Sequence, residues 1–237
     1  MGTRIEPSTE RRRPLNRARI LRAAVELADR DGIEALSMRR LGQELGVEAM
    51  SLYNHVPNKQ DVLDGIVDLV LDEVDLAPVG DDWKSAARSR ILSARRVMLR
   101  HPWASGVIVS RRQPSPRMLR YMDSMGAIMR AGGFSVDLMH HAFHALGSRM
   151  LGFSQELYDD SADLEATPEI QALMLRRMSQ EYPNITAVME QVMHDDASVV
   201  GTGCDDQLEF EFALDLILDG LDRLRALSGG RAGTASS

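Results

Sequence analysis

Apolar residues in this chain return three and four positions apart, and nowhere do they alternate with polar ones over a run bounded by turn residues. That spacing is the period of an α-helix and not of a strand, so the 237 residues are expected to fold as an all-α protein. The stripe Ile20, Ala24, Leu27, Ala28 predicts a helix from about Asn16 to Asp31, ended by Gly32 as a left-handed residue. Ser37 is a good N-cap for a short second helix with Met38, Leu41 and Leu45 on one face, closed by Gly46. A third short helix is expected from Glu48 to His55, with Leu52 and Val56 inward and Pro57 as its stop. Asn58 suits the cap of a longer helix with the stripe Val62, Ile66, Val67, Val70, Val74, ended by Pro78. Further helices are expected at Trp83–Arg100, Pro116–Ala131, Val136–Tyr158, Pro168–Glu181, Ile185–His194 and Asp206–Leu227. Ala77–Asp82 reads as a hinge, His101–Ser115 as a long loop dotted with arginine, and Asp195–Asp205 as a flexible stretch. Residues 1–14 are expected to form a disordered arm and 229–237 a disordered tail.

Several function classes fall away early. No apolar run approaches the roughly 18 residues that a membrane span needs, so a cytoplasmic protein without membrane contact is expected. The single cysteine, Cys204, excludes a disulfide framework, a zinc ribbon and an iron–sulfur cluster within one chain. It has no visible resolving partner and reads as incidental. No nucleophile elbow, phosphate loop, dinucleotide fingerprint or paired metal motif occurs, so neither an enzyme nor a cofactor is expected. The net charge of -7 hides an asymmetry: residues 1–60 carry 11 basic and 8 acidic side chains, residues 61–237 carry 17 and 27. Only the head of such a chain is suited to meet a polyanion.

The segment from Ser37 to Lys59 carries the chemistry. Two short helices meeting at Leu45-Gly46-Val47 fit a helix-turn-helix. In that arrangement the first helix crosses the DNA backbone and offers Ser37, Arg39 or Arg40 to a phosphate or a base edge. The second enters the major groove with Glu48, Ala49, Ser51, Asn54 and His55 outward. Tyr53 and His55 are able to donate to phosphate oxygens, and Lys59 sits where a phosphate-binding cation helps.

The run from Leu36 to Lys59, with Leu-Tyr-Asn-His-Val at 52–56 and Asn58-Lys59, closely resembles the DNA-binding segment of TetR-type transcriptional repressors. The resemblance covers about residues 16–75. Arg130–Ser135 and Phe212–Leu221 are similar to the regulatory domain of the tetracycline repressor branch. The resemblance implies a three-helix DNA-binding domain (residues 15–60) and a larger helical domain (residues 61–228) that binds an effector and forms a homodimer through a helix bundle. It implies that Arg39 reads a base through its fork, that Ala49, Met50 and Ser51 face bases, and that Tyr53, His55 and Lys59 hold phosphates. The family often has a proline where this chain has Met50, so the operator preference is expected to differ.

Met118, Met122, Met125 and Met129 fall on one helix face and read either as plain core or as an adaptable cavity wall. The resemblance implies a pocket wall for some of them, with Met98, His101, Trp103, Phe143, His144, Met150 and Phe153 as further effector-binding candidates. A largely apolar pocket suits an aromatic or polyketide-like molecule. His140 and His144 share a helix face and fit either a divalent metal or hydrogen-bonded side chains at a pocket or dimer surface. The tetracycline repressor holds a magnesium–drug chelate through a histidine; Val107 stands at that position here, His101 is displaced, and Glu156 is left unsupported, so neither metal nor tetracycline is implied. The helix Asp206–Leu227 is apolar on more than one face, which fits self-association or a central place in the monomer. The expected function is a ligand-responsive repressor on palindromic double-stranded DNA, with a helical protein-interaction adaptor or an activator on the same fold as alternatives.

Overall fold

The computed structural model describes residues 14–76, 82–111, 113–151, 168–187 and 206–233. All regular structure among them is helical. The helices are α1 (Arg17–Asp31), α2 (Met38–Leu45), α3 (Ala49–Leu52), α4 (Lys59–Asp72), α5 (Trp83–Arg100), α6 (Trp103–Val109), α7 (Pro116–Ala131), α8 (Val136–Leu151), α9 (Pro168–Glu181) and α10 (Asp206–Gly233). A further helical turn covers 183–187. The arm at 1–13, Phe153, Glu156, His194, Cys204, the Asp195–Asp205 stretch and the last four residues lie outside the described residues, as do 77–81 of the hinge.

The helix starts follow the capping chemistry of the sequence. Asn16 accepts a hydrogen bond from the Arg19 amide, Ser37 from that of Arg40, and Asn58 from that of Asp61, each satisfying a donor that the first turn leaves orphaned. Asp82 and Ser115 cap α5 and α7 in the same way. Gly46 takes the left-handed conformation, at φ 68° and ψ 34°, and closes α2. Gly32 also has positive φ, but with ψ 159° it leaves the helix extended instead of left-handed, and a 3-10 turn at Ile33–Ala35 follows.

Four boundaries differ from the sequence expectation. The supposed loop His101–Ser115 contains α6, which buries Trp103, Ala104 and Val107; Gly106 and the β-branched run Val107-Ile108-Val109 weaken its local helix signal. The third helix is shorter than expected: after Leu52 the chain tightens into a turn, with the amides of both His55 and Val56 on the Leu52 carbonyl. Pro57 then holds Val56 out of the helical region. Helix α4 ends at Asp72, short of Pro78. Helix α10 runs through Gly229 and Gly230 to Gly233, into the stretch expected as a tail, because extending an established helix costs far less than starting one.

The described residues fall into two compact units, 1–143 and 144–237. In the first, Ile20, Ala24 and Leu27 of α1 and Val62, Ile66 and Val70 of α4 are fully buried where the two helices pack. Helix α4 also packs against α5, α6 and α7. Leu41, Leu52 and Val56 anchor α2 and α3 below the surface. Helices α2 and α3 approach so closely at Gly42 that an added Cβ would stand 2.9 Å from the Val47 carbonyl oxygen and 3.2 Å from the Ala49 nitrogen. Both neighbours are backbone and have little freedom to yield. Gly42→Ala is therefore expected to cost about 1–3 kcal/mol of stability, read as a lowered urea midpoint at unchanged m-value.

In the second unit, α10 is apolar on two sides. Phe210, Leu214, Leu218 and Leu221 are buried, while Leu208, Phe212, Leu216, Leu224 and Leu227 are exposed.

Candidate nucleic-acid interface

The surface of α2, α3 and the turn after them is built on a buried floor. Leu41, Leu52 and Val56 point inward with no exposed area, and the residues between them are pushed out. Met50 is 74% exposed and Tyr53 43%. Glu48, Asn54, His55 and Lys59 are exposed, while Ala49 and Ser51 are half-buried. Tyr53, Asn54 and His55 lie in the turn and not in the helix, so their positions depend on the Leu52 carbonyl bonds that hold the turn closed.

The two arginines of α2 are in different states. Arg39 is exposed and makes no ion pair among the described residues. Arg40 is committed: its Nη2 donates to Asp31 at 2.9 Å, and Ser37 is occupied in capping the helix through the Arg40 amide. Arg30 completes this group, with both its terminal nitrogens on the Glu44 carboxylate at 3.2 and 3.1 Å and its Nε on Asp31. Lys59, at the first position of α4, has no ion pair among the described residues. Arg39 and Lys59 thus carry no ion pair among the described residues, on the helices that precede and follow α3 with its exposed Met50.

The effector candidates among the described residues differ in burial. Met125 and Met129 are core residues, Met122 is exposed, and Met98, Phe143 and Met150 are half-buried. The Phe143 ring stands over Gly126. His144 is exposed, as are His140 and His141, whose rings meet edge-on at 5.4 Å. No group of three or more metal-binding side chains occurs among the described residues. Of the candidates, only Met118 lines the small pocket of about 100 Å³ between α4, α6 and α7, with Asp64, Val67, Ile108, Arg111, Gln113, Pro114 and Ser115. Arg111 pairs with Asp64 at 3.1 Å, and its buried Nε has no partner there. Sequence reasoning passed over Asp64 and Arg111; the arginine-dotted stretch before α7 was the available signal.

His101 and Trp103, both under 10% exposed, turn to Asp29 of α1. The Trp103 indole nitrogen donates to Asp29 Oδ1 at 2.7 Å, and His101 Nδ1 lies 2.8 Å from the same oxygen. A carboxylate only accepts, so Nδ1 carries the proton. His101 Nε2 lies 3.3 Å from Glu73 at the end of α4, without the alignment of a hydrogen bond. Arg100 donates to the other Glu73 oxygen at 2.6 Å. Asp29 was not foreseen, since nothing local marks one acidic residue among three charged neighbours.

Burial works against the Glu73 carboxylate, but Arg100 and His101 outweigh it and hold its pKa below the ordinary 4.5. A pKa lower in the folded than in the unfolded chain adds stability above the unfolded value, lost as pH falls through the folded one. Stability is expected to fall from about pH 5 downward, and Glu73→Gln to flatten that limb in urea melts across the range.

Two helices joined at a glycine turn, with a polar ridge over a buried floor, define a helix-turn-helix DNA-binding regulator. Residues 20–66 match the family profile for bacterial regulatory proteins of the tetR family, and residues 77–225 match the tetracyclin repressor-like C-terminal domain. An HTH-type transcriptional regulator from Saccharopolyspora erythraea is 37% identical over 172 residues, 71% of this chain and 72% of that one. The HTH-type transcriptional repressor DrrR1 of Streptomyces coeruleorubidus is 30% identical, covering 95% of this chain and 84% of its own. Among solved structures, ActR of Streptomyces coelicolor in complex with (S)-DNPA superposes with a TM-score of 0.68 at 27% identity, over 89% of this chain and 98% of that one; the same protein is also solved with actinorhodin. The chain belongs to the TetR family of transcriptional regulators and is not an enzyme.

Proposed function

We propose that the protein is a repressor that binds a palindromic operator as a homodimer and is released by a small, largely apolar molecule. The observation that carries the DNA reading is the pairing state of the exposed basic groups: Arg39 and Lys59 have no ion pair among the described residues, while Arg40, equally exposed, is bound to Asp31. In this reading residues 15–60 form the DNA-binding domain and 61–228 the effector-binding and dimerisation domain. Arg39 reads a base edge, probed by its planar fork of donors. Ala49, Met50 and Ser51 face bases, the Met50 thioether suiting a thymine methyl. Tyr53, His55 and Lys59 hold phosphates, and Ser37, Glu48 and Asn54 border the contact.

Two observations support the remainder. Leu208, Phe212 and Leu216 lie exposed at intervals of four on α10, an apolar stripe that a second subunit would cover. The pocket at Val67, Ile108 and Met118 touches α4, the helix that also packs on the DNA-binding head. Occupation there would displace α4 and alter the spacing of two recognition helices set about 34–36 Å apart. ActR, with its actinorhodin complex, makes an aromatic polyketide-like effector the first class to try.

Selection of random-sequence duplexes by the purified protein at near-physiological salt tests the reading. An enriched palindrome with two half-sites supports it. Salt-sensitive retention of all sequences without enrichment points to general polyanion binding, and no retention at any salt to a protein-interaction adaptor. On the enriched duplex, Arg39→Ala is expected to cost about 1–3 kcal/mol and to relax specificity at one position. Lys59→Ala should weaken all sequences alike and reduce the salt slope by about one. Phe212→Glu with Leu216→Glu should give monomers in sedimentation velocity where the parent protein sediments as a dimer.

A further inference from the structure

The three consecutive residues Asp29, Arg30 and Asp31 end α1 and are bonded outward on two sides, Asp29 to the α5–α6 corner and Arg30 and Asp31 to α2. Asp29 receives Trp103 Nε1 at 2.7 Å and His101 Nδ1 at 2.8 Å, both from the corner where α5 turns into α6. Arg30 grips Glu44 with both terminal nitrogens, and Asp31 accepts from Arg40 at 2.9 Å; Glu44 and Arg40 lie on α2. The corner itself is stiff. His101 and Trp103 are buried, their rings meet edge-on at 6.0 Å, and Arg100 fastens the same corner to Glu73 of α4. At its other end α1 is tied to α4 by Arg17 and Asp61, 3.1 Å apart.

We propose that Asp29-Arg30-Asp31 is a two-sided coupler that fixes the helix-turn-helix to the α5–α6 corner through α1, by a route that does not pass through α4. Asp29 is the positioning residue on the body side. Arg30 and Asp31 are the positioning residues on the α2 side, next to Arg39. A shift of the corner drags the end of α1 because two donors converge on one carboxylate oxygen, and a carboxylate in that geometry has little freedom to follow one donor and release the other. The end of α1 then carries α2 with it through three charge-assisted contacts. Each is exposed and weak alone, but together they fix orientation more than they add stability.

The test reads geometry and needs neither DNA nor effector, so it stands apart from the repressor reading. Cys204→Ser protein carries spin labels at Gln43→Cys on α2 and Arg96→Cys on α5, both exposed sites, and is diluted into unlabelled protein so that only distances within one chain count. A second labelled pair, Arg96→Cys with Arg120→Cys on α7, reports on the body alone. Asp29→Ala is expected to broaden the Gln43–Arg96 distance distribution and leave the Arg96–Arg120 distribution unchanged. Asp29→Asn, which keeps an acceptor oxygen for both donors, should restore the narrow distribution. Should Asp29→Ala fail to fold, Trp103→Phe removes one donor while keeping a ring in place and should broaden the same distance to a smaller degree. An unchanged Gln43–Arg96 distribution in the folded variants would overturn the proposal. So would equal broadening of both pairs, which is the mark of a uniformly loosened fold.

Discussion

Helix α4 is buried from both sides, and that one constraint shapes the first unit of the protein. The head, from α1 to α3, is too small to enclose a core of its own. It therefore closes over Val62, Ile66 and Val70 of α4, setting Ile20, Ala24 and Leu27 against them. The same helix meets α5, α6 and α7. Close-packed interiors move as blocks and do not deform continuously, so a helix shared in this way transmits any displacement it receives. A protein that must report the state of a body to a head gains such a connection from packing alone.

Polar chemistry adds direction to that packing. The Asp29 carboxylate joins two buried donors that would otherwise stand unpaired at the α5–α6 corner, and leaving a buried donor unmatched costs more than the bond gains. Arg40 shows the same logic at the surface. Its neighbour Arg39 has identical chemistry and similar exposure, yet Arg40 is bound to Asp31 and Arg39 is not. Which of the two is available to a phosphate or a base is decided by where Asp31 lies.

Much of the head was legible residue by residue. Asn16, Ser37 and Asn58 are cap residues whose side chains do what their type favours, and Gly46 closes α2 in the conformation glycine allows most cheaply. The inward turn of Leu52 and Val56 followed from spacing. The outward ridge of the candidate interface was legible for the same reason, since fixing the buried residues fixes the exposed ones. The surroundings of the methionine stripe were less legible. Four methionines at helical spacing belong to one stripe in sequence, yet two are core, one is exposed and one borders the pocket, because a stripe says which face is apolar and not what lies opposite it. His101 and Trp103 were read as effector-binding candidates, while the structure joins their ring nitrogens to Asp29.

The sequence by itself determined the helical class, most helix starts and the helix-turn-helix, because these rest on local periodicity, on capping and on a glycine turn. Only the tertiary structure decided the rest. It placed Gly42 under the backbone of the next helix, brought Asp29 within reach of residues more than 70 positions away, and paired Arg40 while leaving Arg39 unpaired. Those outcomes depend on what packs against a residue from far along the chain, and no local pattern encodes that.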